Sequence, residues 1–124
     1  MIGGLGIDMI EVDRVASRIA KEQGFRELVF SEGEIVYCSA KTHPAEHYAA
    51  RFAAKEAFFK ALGTGWAAGT AFHEIEVLPD EHGAPQVRLL GDTARMLEGM
   101  GFRKIWVSLT HLGALAAAVV VVEK

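Results

Sequence analysis

Cysteine is almost absent from this chain of 124 residues. Cys38 stands alone, so no internal disulfide and no cysteine-built metal cluster can form. A lone thiol suits a reducing compartment, and the cytoplasm is the expected location. A basic excess is missing too: the net charge of −3 argues against a general nucleic-acid binder. No membrane-spanning run is present. The apolar tail from Ala114 to Val122 covers nine residues, too few for a bilayer helix, and its valines favour a buried strand. The first residues carry neither the charged region nor the cleavage site of a secretory signal. There is no Gly-x-x-x-x-Gly-Lys-Ser/Thr loop and no Gly-x-Ser-x-Gly, which excludes an ordinary nucleotide-hydrolase site and a serine-triad hydrolase elbow.

What is present is a single domain, 1–124, organised around the stretch from Arg51 to Gly65. Read at 100° per residue, Ala49, Ala50, Ala53, Ala54, Ala57, Phe58, Ala61 and Leu62 sweep most of a helical circumference, and Phe52 and Phe59 narrow the remaining gap. Such a helix belongs in a core, yet this one carries Arg51, Lys55, Glu56 and Lys60. Charges in that setting need a partner, an ion or a ligand. Glu56 and Lys60 also have the spacing of a simple helix ion pair, worth only about 0.2–0.5 kcal/mol. Pro44 opens the helix, and Gly63 supplies a C-cap.

Around it, residues 3–12 read as a buried strand, with Leu5, Ile7 and Met9 on one face and Gly6, Asp8 and Ile10 on the other. Asp13 caps a helix whose apolar stripe is Val12, Val15, Ala16, Ile19 and Ala20. Arg14, Arg18 and Lys21 share its other face, a basic stripe on an acidic protein that suits an acidic partner. Phe25 to Phe30 forms a helical turn, and Ser31 with Glu34 makes a capping box. His43 and His47 have the spacing of paired ligands but sit in a polar stretch and read as exposed histidines. Residues 72–78 and 86–90 form a hairpin with Glu74 and Glu76 facing solvent. A short helix follows from Asp92 or Thr93, with Ala94, Leu97 and Met100 inward. Lys104 to Thr110 and the valine tail are the last strands, turned at His111, Leu112 and Gly113. Hairpins without repeated crossovers predict an α+β fold, a mostly antiparallel sheet packed on the long central helix.

Asp8 and Glu56 are carboxylates on different elements, accompanied by Lys60, a Gly63-Thr64-Gly65 loop and His111. A few oxygen ligands suit Mg²⁺, which retains waters and bridges to substrate phosphates. Lysine and a glycine-rich loop complement phosphate oxygens. These residues therefore sketch Mg²⁺-dependent phosphate chemistry.

Gly6-Ile7-Asp8, the run Arg51-Phe-Ala-Ala-Lys55-Glu56-Ala-Phe-Phe-Lys60-Ala-Leu-Gly63-Thr64-Gly65 and Val107-Ser108-Leu-Thr-His111 together resemble the holo-acyl-carrier-protein synthase family, the small bacterial-type 4′-phosphopantetheinyl transferases. The resemblance covers essentially the whole chain. It implies transfer of the 4′-phosphopantetheine arm of coenzyme A to a serine of apo acyl carrier protein, with release of adenosine 3′,5′-bisphosphate. It further implies Asp8 and Glu56 as Mg²⁺ ligands and Lys60 as a catalytic pyrophosphate contact. Arg51, Lys55, Gly63, Thr64, Gly65 and His111 would line the coenzyme site, and Arg14, Arg18 and Lys21 would dock the carrier. The family is trimeric, with sites built between subunits. Leu112 and Phe59 depart from the usual pattern beside the coenzyme. Two other readings stand beside this one, a non-catalytic trimer that binds carrier proteins and a Mg²⁺-dependent phosphodiesterase acting on the phosphopantetheine linkage.

Overall fold

A computed structural model describes residues 1–63 and 71–124. Thr64 and Gly65 of the predicted coenzyme loop lie outside the described residues. The chain runs β1 (Ile2–Glu11), α1 (Val12–Ala20), α2 (Phe25–Val29), α3 (Glu32–Ser39), α4 (Pro44–Leu62), a 3₁₀ turn (Phe72–Glu74), β2 (Ile75–Pro79), β3 (Pro85–Leu89), α5 (Gly91–Glu98), β4 (Lys104–Leu112) and β5 (Leu115–Glu123). This is the predicted α+β architecture. The valine tail is the central strand of a three-stranded antiparallel sheet ordered β1-β5-β4, and β2 and β3 form a separate hairpin sheet.

Helix α4 lies on one face of the larger sheet. Its alanines make that approach close: Ala49, Ala53 and Ala57 have no exposed surface. On the sheet side, Ala116, Ala118, Val120 and Val122 of β5 point inward, as the period of two requires. Strand β1 comes nearest of all, because it presents glycine to the helix. A Cβ on Gly6 would overlap the carbonyl oxygen of Ala57 and lie 2.8 Å from the nitrogen of Ala61, and one on Gly4 would meet the carbonyl of Ala61. Both are helix backbone, which cannot turn aside. Gly6→Ala must push β1 off α4, costing at least the ~1–3 kcal/mol of overpacking. It also shifts Asp8, two residues on, so activity should fall about a hundredfold; thermal denaturation and a transfer assay read the two losses separately.

The structure corrects several sequence expectations. The face of β1 carrying Leu5, Ile7 and Met9 is exposed, at 65%, 66% and 65%, so the strand is buried on its glycine face alone. Asp13 sits inside the first turn of α1, and Glu11 holds the N-cap position with no side-chain cap. Met100 lies exposed beyond α5, and buried Thr93 supplies the inward contact instead.

Glu74 and Glu76 do not face open solvent. Glu74 accepts from the hydroxyl of Thr93 at 2.7 Å, tying the hairpin to α5. Glu76 is nearly buried and accepts from Ser31 Oγ at 2.7 Å. The capping box at Ser31 and Glu34 forms as predicted, and its glutamate is fully buried against Lys55, with Nζ and Oε1 2.7 Å apart.

Candidate active site

Asp8 projects from β1 on the same face as Gly4 and Gly6, so the glycine contact that seats the strand also carries this carboxylate to α4. Lys60 Nζ donates to Asp8 Oδ1 and to the carbonyl oxygen of Ile7, both at 3.0 Å. Lys60 thus reaches across to the strand for its ion pair, whereas its spacing from Glu56 had predicted a pair within the helix. Glu56, one turn earlier, shares a cleft of about 330 Å³ with Asp8, Arg14, Arg18, Phe25 and Phe52. Partial burial raises the Glu56 pKa above the ordinary carboxylate range, the Asp8 charge raises it further, and Lys60 opposes both. Two carboxylates that repel each other beside a lysine ammonium make a place where positive charge is stabilised.

The donor set fits Mg²⁺. Among the described residues, no group of three or more His, Cys, Asp or Glu side chains converges. Two carboxylates on facing elements suit an ion that keeps its remaining positions for water and substrate phosphate. The Lys60 ammonium already occupies the cationic position next to Asp8.

The basic stripe of α1 opens onto this cleft. Arg14 and Arg18 line it together with the two carboxylates, and Arg18 is braced over the Phe25 ring at 4.5 Å. Lys21 lies farther along, beside Arg18, Phe25 and exposed Leu28.

The other predicted coenzyme contacts lie elsewhere. Arg51 and Glu56 are about 140° apart around α4, and Arg51 lines a second cavity of about 210 Å³ with Tyr37, His47 and His111. Arg51 is nearly buried, its Nε donating to the Val77 carbonyl oxygen at 2.9 Å and its guanidinium lying over Tyr37. His111 Nδ1 stands 3.4 Å from Glu46 Oε2. His47, expected to be exposed, is half-buried and meets His111 edge to face, with ring centroids 5.3 Å apart. Lys55 faces neither cavity. It is fully buried, and its three donors go to Glu34 Oε1 and the carbonyl oxygens of Phe72 and Ile75 at 2.6–2.8 Å. Its position in the motif places it in the core, bonded to α3 and to the start of the hairpin. Phe59 is likewise buried, packed on Phe72, while Leu112 is exposed at the β4–β5 turn. Gly63 takes the left-handed conformation that ends α4, with φ of 79°.

The 4′-phosphopantetheinyl transferase superfamily matches residues 4–115. The chain belongs to that family. Among its relatives, the holo-[acyl-carrier-protein] synthase of Maridesulfovibrio salexigens is 47% identical over 125 residues, covering all of both chains. The holo-[acyl-carrier-protein] synthase structure from Neisseria meningitidis superposes with a TM-score of 0.90 at 32% identity, again over the full length of both. That of Bacillus anthracis, solved in complex with CoA (3′,5′-ADP), gives 0.82 at 33% identity over 100% of this chain and 98% of its own.

In this transferase, the candidates Asp8, Glu56 and Lys60 come together where β1 meets α4, whereas no sequence pattern marked as a unit the buried set of Glu34, Ser31 and Glu76 that anchors α3 to α4 and β2. The capping box marked two of its members. Nothing in the spacing marked their partner Lys55, 21 residues from Glu34.

Proposed function

We propose that the transferase moves 4′-phosphopantetheine from coenzyme A to the serine hydroxyl of an apo acyl carrier protein in the cytoplasm and releases adenosine 3′,5′-bisphosphate. The observation that carries this reading is one cleft in which two carboxylates and the arginines of α1 lie side by side. An acidic carrier guided by Arg14, Arg18 and Lys21 brings its serine to the edge of the carboxylate pair. Asp8 and Glu56 would hold Mg²⁺, which would supply charge neutralisation at the pyrophosphate and polarise the phosphorus under attack. Lys60, whose side chain is 55% exposed, turns its ammonium toward a pyrophosphate oxygen. Glu56 accepts the serine proton, directly or through water. The serine oxygen bonds to phosphorus as the bond to the bisphosphate breaks, so one adenosine 3′,5′-bisphosphate appears per carrier modified.

A homotrimer completes the site in this reading. The Arg51 and His111 patch and the Asp8 and Glu56 cleft lie on different sides of α4, so one coenzyme bridges them when they come from neighbouring subunits. The exposed row of Leu5, Ile7 and Met9 supplies an apolar surface for such a neighbour.

Bisphosphate release measured with and without apo carrier tests the reaction. Release that depends on the carrier and matches its modification supports the transferase; breakdown of coenzyme A without carrier, or removal of an arm already attached, indicates a phosphodiesterase. The α1 stripe has its own test. Arg14→Glu should raise the carrier KM about tenfold and flatten its salt dependence, and an unchanged KM at low salt would remove Arg14 from the docking face.

A further inference from the structure

His47 plays no part in the reaction proposed above, yet it is half-buried among other titratable side chains. Its ring lies edge to face against His111 on one side and against Tyr37, at 6.2 Å between centroids, on the other. Two cations flank these rings. Lys41 Nζ lies 4.4 Å from the Tyr37 centroid, the Arg51 guanidinium 4.6 Å, and Arg51 also donates to the His47 carbonyl oxygen. Among the described residues, the acid facing the group is Glu46, at His111. The β2–β3 side contributes only uncharged Pro79, Gly83 and Pro85 to the cavity. At about 210 Å³ the cavity is smaller than the ~300–1,000 Å³ of pockets that take whole small molecules. It suits one charged group of a larger ligand.

We propose that His47 is a further specificity-determining residue for the coenzyme: it takes up a proton when a phosphomonoester dianion enters the cavity beside His111. This rests on the coenzyme reading of Arg51 and His111 given above and adds to it the residue that links recognition to pH. In the free protein, burial and then the neighbouring His111 hold the His47 pKa below that of an ordinary imidazole, and Arg51 and Lys41 act in the same direction. At neutral pH the ring is therefore uncharged, which lets it stand beside two cationic side chains without adding to their repulsion. An entering dianion reverses the balance of charge, and a protonated ring then donates to it. A group whose pKa is higher in the complex than in the free protein takes up protons on binding, so affinity falls as pH rises through the window between those values. For one proton the steepest fall is about tenfold per pH unit.

Isothermal titration calorimetry of the intact protein with coenzyme A, in two buffers of different ionisation enthalpy, counts the protons directly. At about pH 7.5 the phosphomonoester, with a second pKa near 6, is already a dianion, so uptake there comes from the protein. The wild type should take up protons with coenzyme A and not with dephospho-coenzyme A, which lacks the phosphomonoester. His47→Phe keeps the aromatic packing and should lose the uptake and the pH dependence of affinity; His47→Gln should do the same with a polar group retained, so a packing defect in one variant leaves the other to decide. Equal uptake in wild type and both variants, or equal uptake with the two coenzymes, overturns the role of His47. Failure of the wild type to bind coenzyme A at all would instead count against the coenzyme reading itself.

Discussion

Glu56→Gln should lower turnover by about 10²–10⁴-fold, the usual contribution of a positioned base, and should at the same time raise the melting temperature of the metal-free protein. The two effects have one origin. Burial and the Asp8 charge raise the Glu56 pKa in the folded state. Folding then favours the protonated form: the favourable contribution is complete below the unfolded carboxylate pKa and is lost as pH rises through the folded one. At neutral pH the ionised carboxylate is a net cost that a neutral amide of the same shape avoids. The difference in melting temperature between wild type and variant should therefore be present at about pH 7, shrink as pH falls, and vanish near pH 3, below the usual glutamate range. A variant with full turnover would remove Glu56 from proton transfer, and one destabilised at pH 7 would show that the carboxylate is satisfied where it stands.

Lys55→Met should have the largest effect on stability. The Lys55 ammonium and the Glu34 carboxylate are both fully buried and 2.7 Å apart. Glu34 also accepts from the backbone nitrogens of Ser31 at 2.9 Å and Val77 at 2.8 Å. Removing the lysine leaves a buried charge without its counterion, which costs about 3–5 kcal/mol. That is a large share of the ~5–15 kcal/mol that holds a domain folded, and corresponds to a fall of roughly 10–20 °C in melting temperature. Adding Glu34→Gln removes the orphaned charge and should recover part of the loss, because the amide oxygen still accepts one backbone bond. A Lys55→Met protein within about 1 kcal/mol of wild type would mean that Glu34 is neutral in the folded protein.

Much of this was legible in the residues. Local signals held: the Pro44 start and Gly63 end of α4, the capping box at Ser31 and the hairpin turn after Pro79 are each set by a few adjacent residues, and all appear where expected. Asp8 and Glu56 were legible because a carboxylate inside an apolar strand and another inside an alanine-rich helix both contradict their surroundings. What the sequence hid was pairing over distance. The period of two placed Leu5, Ile7 and Met9 on one face of β1, but only the packing of α4 on the glycine face shows which side is covered. Glu76 alternates like a solvent-facing strand residue and is instead drawn inward by the Ser31 hydroxyl. Lys55 and Lys60, five residues apart in one motif, look equally suited to bind phosphate. One is enclosed by Glu34 and two carbonyls, and the other reaches the strand that carries Asp8.

Intact mass spectrometry of an apo acyl carrier protein incubated with this protein, coenzyme A and Mg²⁺ reads the transfer itself. The carrier should gain one phosphopantetheine group, and the gain should be abolished by chelator and by Asp8→Ala in a protein that remains folded. An unmodified carrier with the folded wild-type protein, across several carriers and with Mg²⁺ present, would contradict the proposed transfer.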